Sequence, residues 1–155
     1  MKKTFLPTSK LPDILVADAN VVLSATIGGR AGMVLLHPRA PAVIASVQAG
    51  DEVLEHLPAI ARKRGLDLEI LLPVLASLPL DWVETDAYSS HEAQASGRIK
   101  TRDEDDWHVV ALALAQKARQ KDFAIWTQDK DFEVSELPTL TTGQILDYLE
   151  GWSAK

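Results

Sequence analysis

The sequence predicts an α/β sandwich around a mainly parallel central sheet of four to five strands flanked by helices. Three observations carry that prediction. Short apolar runs alternate along the chain with segments of helical spacing. Two of those runs lead into aspartates, Asp18 and Asp129, which a parallel sheet would present together at its carboxyl edge. The 155 residues suit one domain, which can bury about two-thirds of its unfolded surface without staples.

Residues 1–13 read as a flexible N-terminal arm and 14–155 as a single domain. Lys2 and Lys3 are followed by Pro7, Thr8, Ser9, Lys10 and Pro12, so no apolar signal segment forms. Ile14-Leu15-Val16-Ala17 is unbroken in apolar character and reads as a strand buried on both faces. A helix follows and stops near Gly28-Gly29. Val43-Ile44-Ala45, after Pro38 and Pro41, is the second strand. From about Gly50 to Arg64, Val53, Leu54, Leu57, Ile60 and Ala61 recur at helical spacing, and Gly65 is placed to end that helix.

Asp67 caps the next helix, which runs to Leu78 and is bounded by Pro79; Pro73 is expected to kink it or delay its start. Leu80 to Val83 is a short strand, and residues 86–98 are helical. Asp103 is an N-cap, and the Ala- and Leu-rich helix behind it runs to about Gln120. Ala124-Ile125-Trp126-Thr127 is the fourth strand and Thr139-Leu140 the fifth. Thr141 and Gln144 form a capping box for a last helix from Ile145 to about Glu150.

Composition narrows the function. With 46% hydrophobic and 25% charged residues the chain is an ordinary globular domain. It has no cysteine, so any metal must be held by oxygen or imidazole, a pattern that fits a reducing cytoplasm. No stretch approaches the roughly 18 apolar residues of a membrane span. The net charge of −6 counts against a nonspecific nucleic-acid binder, although a metal-binding carboxylate cluster itself lowers the count.

Such a cluster is what the acids suggest. Asp18 and Asp129 stand past strand ends, Asp106 near the start of a long helix, and Glu52 in the first turns of the helix after the second strand. Carboxylates brought this close raise one another's pKa and become favourable when a cation neutralises them. Hard oxygen donors select Mg²⁺, with Mn²⁺ as substitute, and the reaction such a site serves is phosphodiester hydrolysis. Each acid alone has a plainer explanation: Asp18 as a helix cap, Asp106 as a dipole partner with Asp103, Glu104 and Asp105, Glu52 as an exposed helix charge, Asp129 and Asp131 as turn residues. Their order and their places at element ends shift the balance.

The motifs resemble those of PIN domains. Val16-Ala17-Asp18-Ala19-Asn20, running into Val21-Val22-Leu23, is similar to the family's opening strand and turn. Asp103-Glu104-Asp105-Asp106-Trp107-His108, followed by Val109 to Ala115, is similar to its third acidic motif. Ile125-Trp126-Thr127-Gln128-Asp129-Lys130-Asp131-Phe132 matches the fourth, and Ala45-Ser46 to Glu52-Val53 is the best fit to the second. The likeness runs from about Ile14 to the C-terminus. Glu55 rivals Glu52, and Asp105 rivals Asp106; Asp106 is preferred because Val109 and Ala113 then keep the family's helix spacing.

The resemblance implies a PIN-like three-layer sandwich and an Mg²⁺-dependent endoribonuclease. It implies Asp18, Glu52, Asp106 and Asp129 as catalytic acids, with Asp131 joining them at the metal. It further implies the toxin of a bacterial toxin–antitoxin pair, cytoplasmic and dimeric, silenced by a cognate antitoxin. Asn20 and Thr127 are expected to orient carboxylates beside the metal. Arg98, Lys100 and Arg102, just before the third motif, are the preferred contacts to RNA phosphates.

The remaining residues receive plainer roles. His56, His91 and His108 lack the paired spacing of a zinc site, and His108 is expected to be packed or solvent-facing beside Trp107. Trp107 and Trp126 are expected in the core, Trp82 and Trp152 on a dimer or partner surface. The alternatives are a non-catalytic PIN-like module that binds RNA or protein, a phosphoacceptor receiver domain, and a structure-specific DNase. The receiver lacks its paired acids and late lysine here, and such DNases are longer.

Overall fold

The computed structural model describes residues 10–99 and 106–153. Strands β1 (Ile14–Ala17), β2 (Ala42–Ser46), β3 (Asp81–Val83), β4 (Phe123–Trp126) and β5 (Thr139–Leu140) form a five-stranded sheet in the order β3-β2-β1-β4-β5. Every pairing is parallel. The helices are α1 (Ala19–Thr26), α2 (Ala31–Leu35), α3 (Val47–Arg64), α4 (Leu68–Ser77), α5 (Glu92–Ile99), α6 (Trp107–Ala118) and α7 (Thr142–Ser153).

Period-two alternation divides the central strands between two cores. Leu15, Ala17, Ala45, Ala124 and Trp126 face a core shared with Val21, Val22, Val34, Val53 and Ile145. Val16 and Ile125 face the other, with Ala95, Ile99 and the α6 residues Val109 to Ala115. Helices therefore cover both faces, which is why β1 and β4 are apolar throughout instead of alternating. Helix α6 is buried from His108 through Gln116, as expected of a helix enclosed on all sides.

The predicted elements hold, with local corrections. Helix α3 begins directly after β2, capped by Ser46, whose Oγ accepts from the Ala49 amide at 3.0 Å. The apolar spacing started later than the helix because its first turn is capped, not patterned. Helix α4 starts ahead of Pro73 and continues past it. The segment read as helical from residue 86 opens with two 3₁₀ turns, Thr85–Ala87 and Ser89–His91, before α5. Asp and Ser are weak helix formers, and Tyr88 between the two turns is fully buried. Helix α2 and a 3₁₀ turn over Lys130–Ser135 were not foreseen.

The capping box is present: Thr141 N donates to Gln144 Oε1 at 2.9 Å, and Gln144 N to Thr141 Oγ1 at 3.1 Å. Gly65 ends α3 at φ +67, the left-handed conformation that a Cβ disfavours. Most of the predicted arm lies outside the described residues, but Leu11 packs on the first core and Pro12 is buried, so the domain begins ahead of Ile14. The expected N-cap Asp103 also lies outside them.

The order of strands places the site. β1, β2 and β3 add in one direction, and the chain then crosses to the far side of β1 to lay down β4. The boundary between β1 and β4 is the topological switch point, where open parallel sheets leave a crevice at their carboxyl ends.

Candidate active site

Strand register decides which residues meet at that edge. Ala17 lies opposite Trp126, so the next residues, Asp18 and Thr127, emerge side by side. On the other flank Val16 lies opposite Ile44, which brings Ser46 level with Asp18. The row Ser46–Asp18–Thr127 is a direct consequence of parallel pairing, and all three side chains are buried.

Asp18 is only 4% exposed. Its Oδ1 accepts from the Val21 amide at 2.8 Å and caps α1. Its Oδ2 accepts from Thr127 Oγ1 at 2.5 Å. The same Thr127 oxygen receives the Asp129 amide at 2.9 Å, and Asp129 Oδ1 receives the Asp131 amide at 2.8 Å, capping the 3₁₀ turn. The cap and the candidate ligand are thus one residue in each case: Asp18 and Asp129 each use a carboxylate oxygen to start a helix. Thr127, expected to orient carboxylates, fixes the Asp129 backbone and the Asp18 carboxylate together.

Burial pushes the Asp18 carboxyl up to about 6, against the lowering effect of its bonds from Thr127 and Val21. The negative charges of Asp129 and Glu52 push it in the same direction as burial. Three of the predicted acids, from β1, α3 and the loop after β4, therefore share one electrostatic field. Glu52 is half-buried in the second turn of α3, whereas its rival Glu55 is exposed farther along the helix. The α3 glutamate whose charge raises Asp18 is Glu52.

Asp106 stands at the head of α6 and is half-buried; its side chain does not cap the helix. Two residues on, His108 reaches Ser46 in the row beside Asp18, which brings the start of α6 to the same edge. Among the described residues no group of three or more His, Asp or Glu is gathered to ligand spacing. Asn20 is exposed in the first turn of α1. Arg98 donates to the Ser135 carbonyl and ties α5 to the 3₁₀ turn, an internal task for a residue expected to meet phosphate. Lys100, Arg102 and Asp105 lie outside the described residues.

Sequence reasoning missed the role of His108. It is 3% exposed, with Nδ1 2.7 Å from Ser46 Oγ and Nε2 3.9 Å from Glu52 Oε1. The available signal was Ser46 itself, a cap residue at a strand end. Trp107, expected in the core, is half-buried and lines an open depression of about 530 Å³ with Gln48, Glu52, Glu55 and His108. Trp126 is a core residue, its Nε1 donating to Thr142 Oγ1 at 2.9 Å. Trp82 is half-buried against α3, where Gly50 allows the close approach: a Cβ there would stand 3.0 Å from the indole. The side chain of Trp152 lies outside the described part.

The donor set fits a hard divalent cation. It consists of carboxylate oxygens, one of them buried where its charge is costly until a cation offsets it.

A model of the PIN domain matches residues 16–150. No curated protein matches the chain. Among solved structures, a chain of VapBC2 from Rickettsia felis, bound to a DNA fragment from its promoter, is 12% identical with a TM-score of 0.60; the match covers 83% of this chain and 98% of that one. A chain of FitAB bound to the IR36 DNA fragment is 17% identical with a TM-score of 0.51, over 83% of this chain and 94% of that one. At these identities the likeness is one of fold.

Proposed function

Because the chain belongs to the PIN-domain family, we propose that it is an Mg²⁺-dependent endoribonuclease and the toxin of a toxin–antitoxin pair. The observation that carries this reading is the buried Asp18 carboxylate, raised by burial and by the charges of Asp129 and Glu52 at the switch point of the sheet. A fold optimised for stability alone would place a neutral cap there.

In this reading Asp18, Glu52, Asp106 and Asp129 hold the cation, and Asp131 joins them. When bound, the cation supplies charge neutralisation and Lewis acidity for phosphodiester hydrolysis. The protein's own contribution is placement. Thr127 holds one oxygen of Asp18 and, through the Asp129 amide, sets the loop that carries Asp129. The buried row beneath excludes water from one side of the site. Asn20, exposed beside Asp18 in sequence, faces solvent from which substrate arrives.

The toxin assignment draws support from the fold shared with chains of the VapBC2 and FitAB complexes. It brings with it an RNA substrate, a protein antitoxin and a homodimer. Among the described residues no helix is long and apolar enough to cross a membrane. The test is cleavage of total RNA with and without Mg²⁺ by wild type, Asp18→Asn and Asp106→Ala. Metal-dependent cutting by wild type, lost in both variants, is the expected result. RNA binding without cutting would favour a non-catalytic module.

A further inference from the structure

We infer that His108 is a positioning residue for Glu52: its ring, oriented by Ser46, turns Nε2 toward the glutamate carboxylate. The inference rests on the metal-site reading above and adds to it a residue outside the acid set.

The Ser46 hydroxyl is buried beside Nδ1 of His108. Its oxygen already accepts the Ala49 amide at 3.0 Å as the cap of α3. Its hydrogen needs an acceptor, since a buried hydroxyl without one is costly. The structure offers His108 Nδ1, 2.7 Å away. With Ser46 donating to Nδ1, that nitrogen is the acceptor and Nε2 is the ring's donor. Nε2 faces Glu52 Oε1 at 3.9 Å. That is longer than a hydrogen bond, so the contact is a dipole aimed at a charge.

The ring is also clamped. Trp107 meets it edge-on, with centroids 6.2 Å apart and an interplanar angle of 82°. Trp107 leans on Tyr88 at 5.8 Å, and the Tyr88 hydroxyl donates to Gln48 Oε1 at 2.6 Å in the first turn of α3. The starts of α3 and α6 are thus joined twice, by Ser46–His108 and by Gln48–Tyr88–Trp107, with Glu52 between them. A histidine needed only for packing would not have to turn its second nitrogen toward an open acidic depression. A dipole aimed at Glu52 Oε1 favours the other oxygen for the cation, and supports around metal ligands change metal affinity by about 10–100-fold when removed.

Two variants of the full chain separate this role from packing. In His108→Asn the amide reaches the Nδ1 position and keeps Ser46, but nothing reaches Glu52. In His108→Gln the amide reaches the Nε2 position. Mn²⁺ affinity measured by calorimetry is expected to fall at least about 10-fold in His108→Asn and to stay within about 2-fold of wild type in His108→Gln. Nitrogen-15 NMR of the wild-type ring is expected to show the proton on Nε2. His108→Asn binding Mn²⁺ as wild type does, equal losses in the two variants, or a proton on Nδ1 alone would each overturn the inference while leaving the metal site intact. No Mn²⁺ uptake by the wild type would overturn the metal reading, and this role with it.

Discussion

Two aspartates flank β1, and they live differently. Asp13, just before the strand, is exposed, and its backbone carbonyl receives the Ala42 amide at 3.2 Å. Asp18, just after it, is enclosed, hydrogen-bonded on both oxygens, and pushed up to about 6. One strand of four residues separates a solvated charge from a confined one. The amino edge of the sheet meets ordinary surface requirements. The carboxyl edge carries a charge that folding alone does not require, since asparagine caps helices as well as aspartate does. That excess is the mark of a site.

The largest expected effect comes from erasing the difference. Asp18→Asn should lower Mg²⁺-dependent RNA cleavage by about 10³-fold, measured on a defined RNA, because the proposed site loses a ligand. The same change should stabilise the metal-free protein at pH 8 by about 2–3 kcal/mol, or roughly 5–10 °C in Tm. Asp13→Asn should stay within about 0.5 kcal/mol of wild type.

The pH dependence follows with a definite sign. The folded pKa of Asp18, about 6, lies above its ordinary value of 3.8, so the folded state keeps a proton that the unfolded chain releases. Its contribution to stability is fully present below pH 3.8 and is lost as pH rises through about 6. Metal-free wild type should therefore lose about 3 kcal/mol across that window relative to Asp18→Asn, in denaturant titrations at stepped pH. Next in size is Thr127→Val, which removes the bond to Asp18 Oδ2 and the acceptor for the Asp129 amide. Metal affinity should fall about 10–100-fold, with Thr127→Ser restoring most of it. The smallest contrast is on α3: Glu52→Gln should weaken metal binding, while Glu55→Gln should leave it within about 2-fold.

These contrasts also show what a sequence can display. β1 and β4 were legible because burial on both faces writes an unbroken apolar run, and Asp18 and Asp129 were legible because those runs stop at them. Gly65, Asp67 and the Thr141–Gln144 box were legible because caps act within a few residues. Helix α2 was not: Gly28 and Gly29 precede it, and its packing against α1 and α7 decides it. Ser46 and His108 are separated by 62 positions, and no local pattern announces their bond. Spacing on α3 likewise does not separate Glu52 from Glu55; burial and the charge felt by Asp18 do distinguish their surroundings.

Asp18, Glu52 and Asp129 confine negative charge, which a divalent cation would relieve in the proposed site. Thermal unfolding at pH 8, with and without millimolar Mg²⁺, tests it in wild type and Asp18→Asn side by side. Mg²⁺ should raise the wild-type Tm by several degrees and leave the variant nearly unmoved. Equal shifts in both proteins, or none in the wild type, would contradict it.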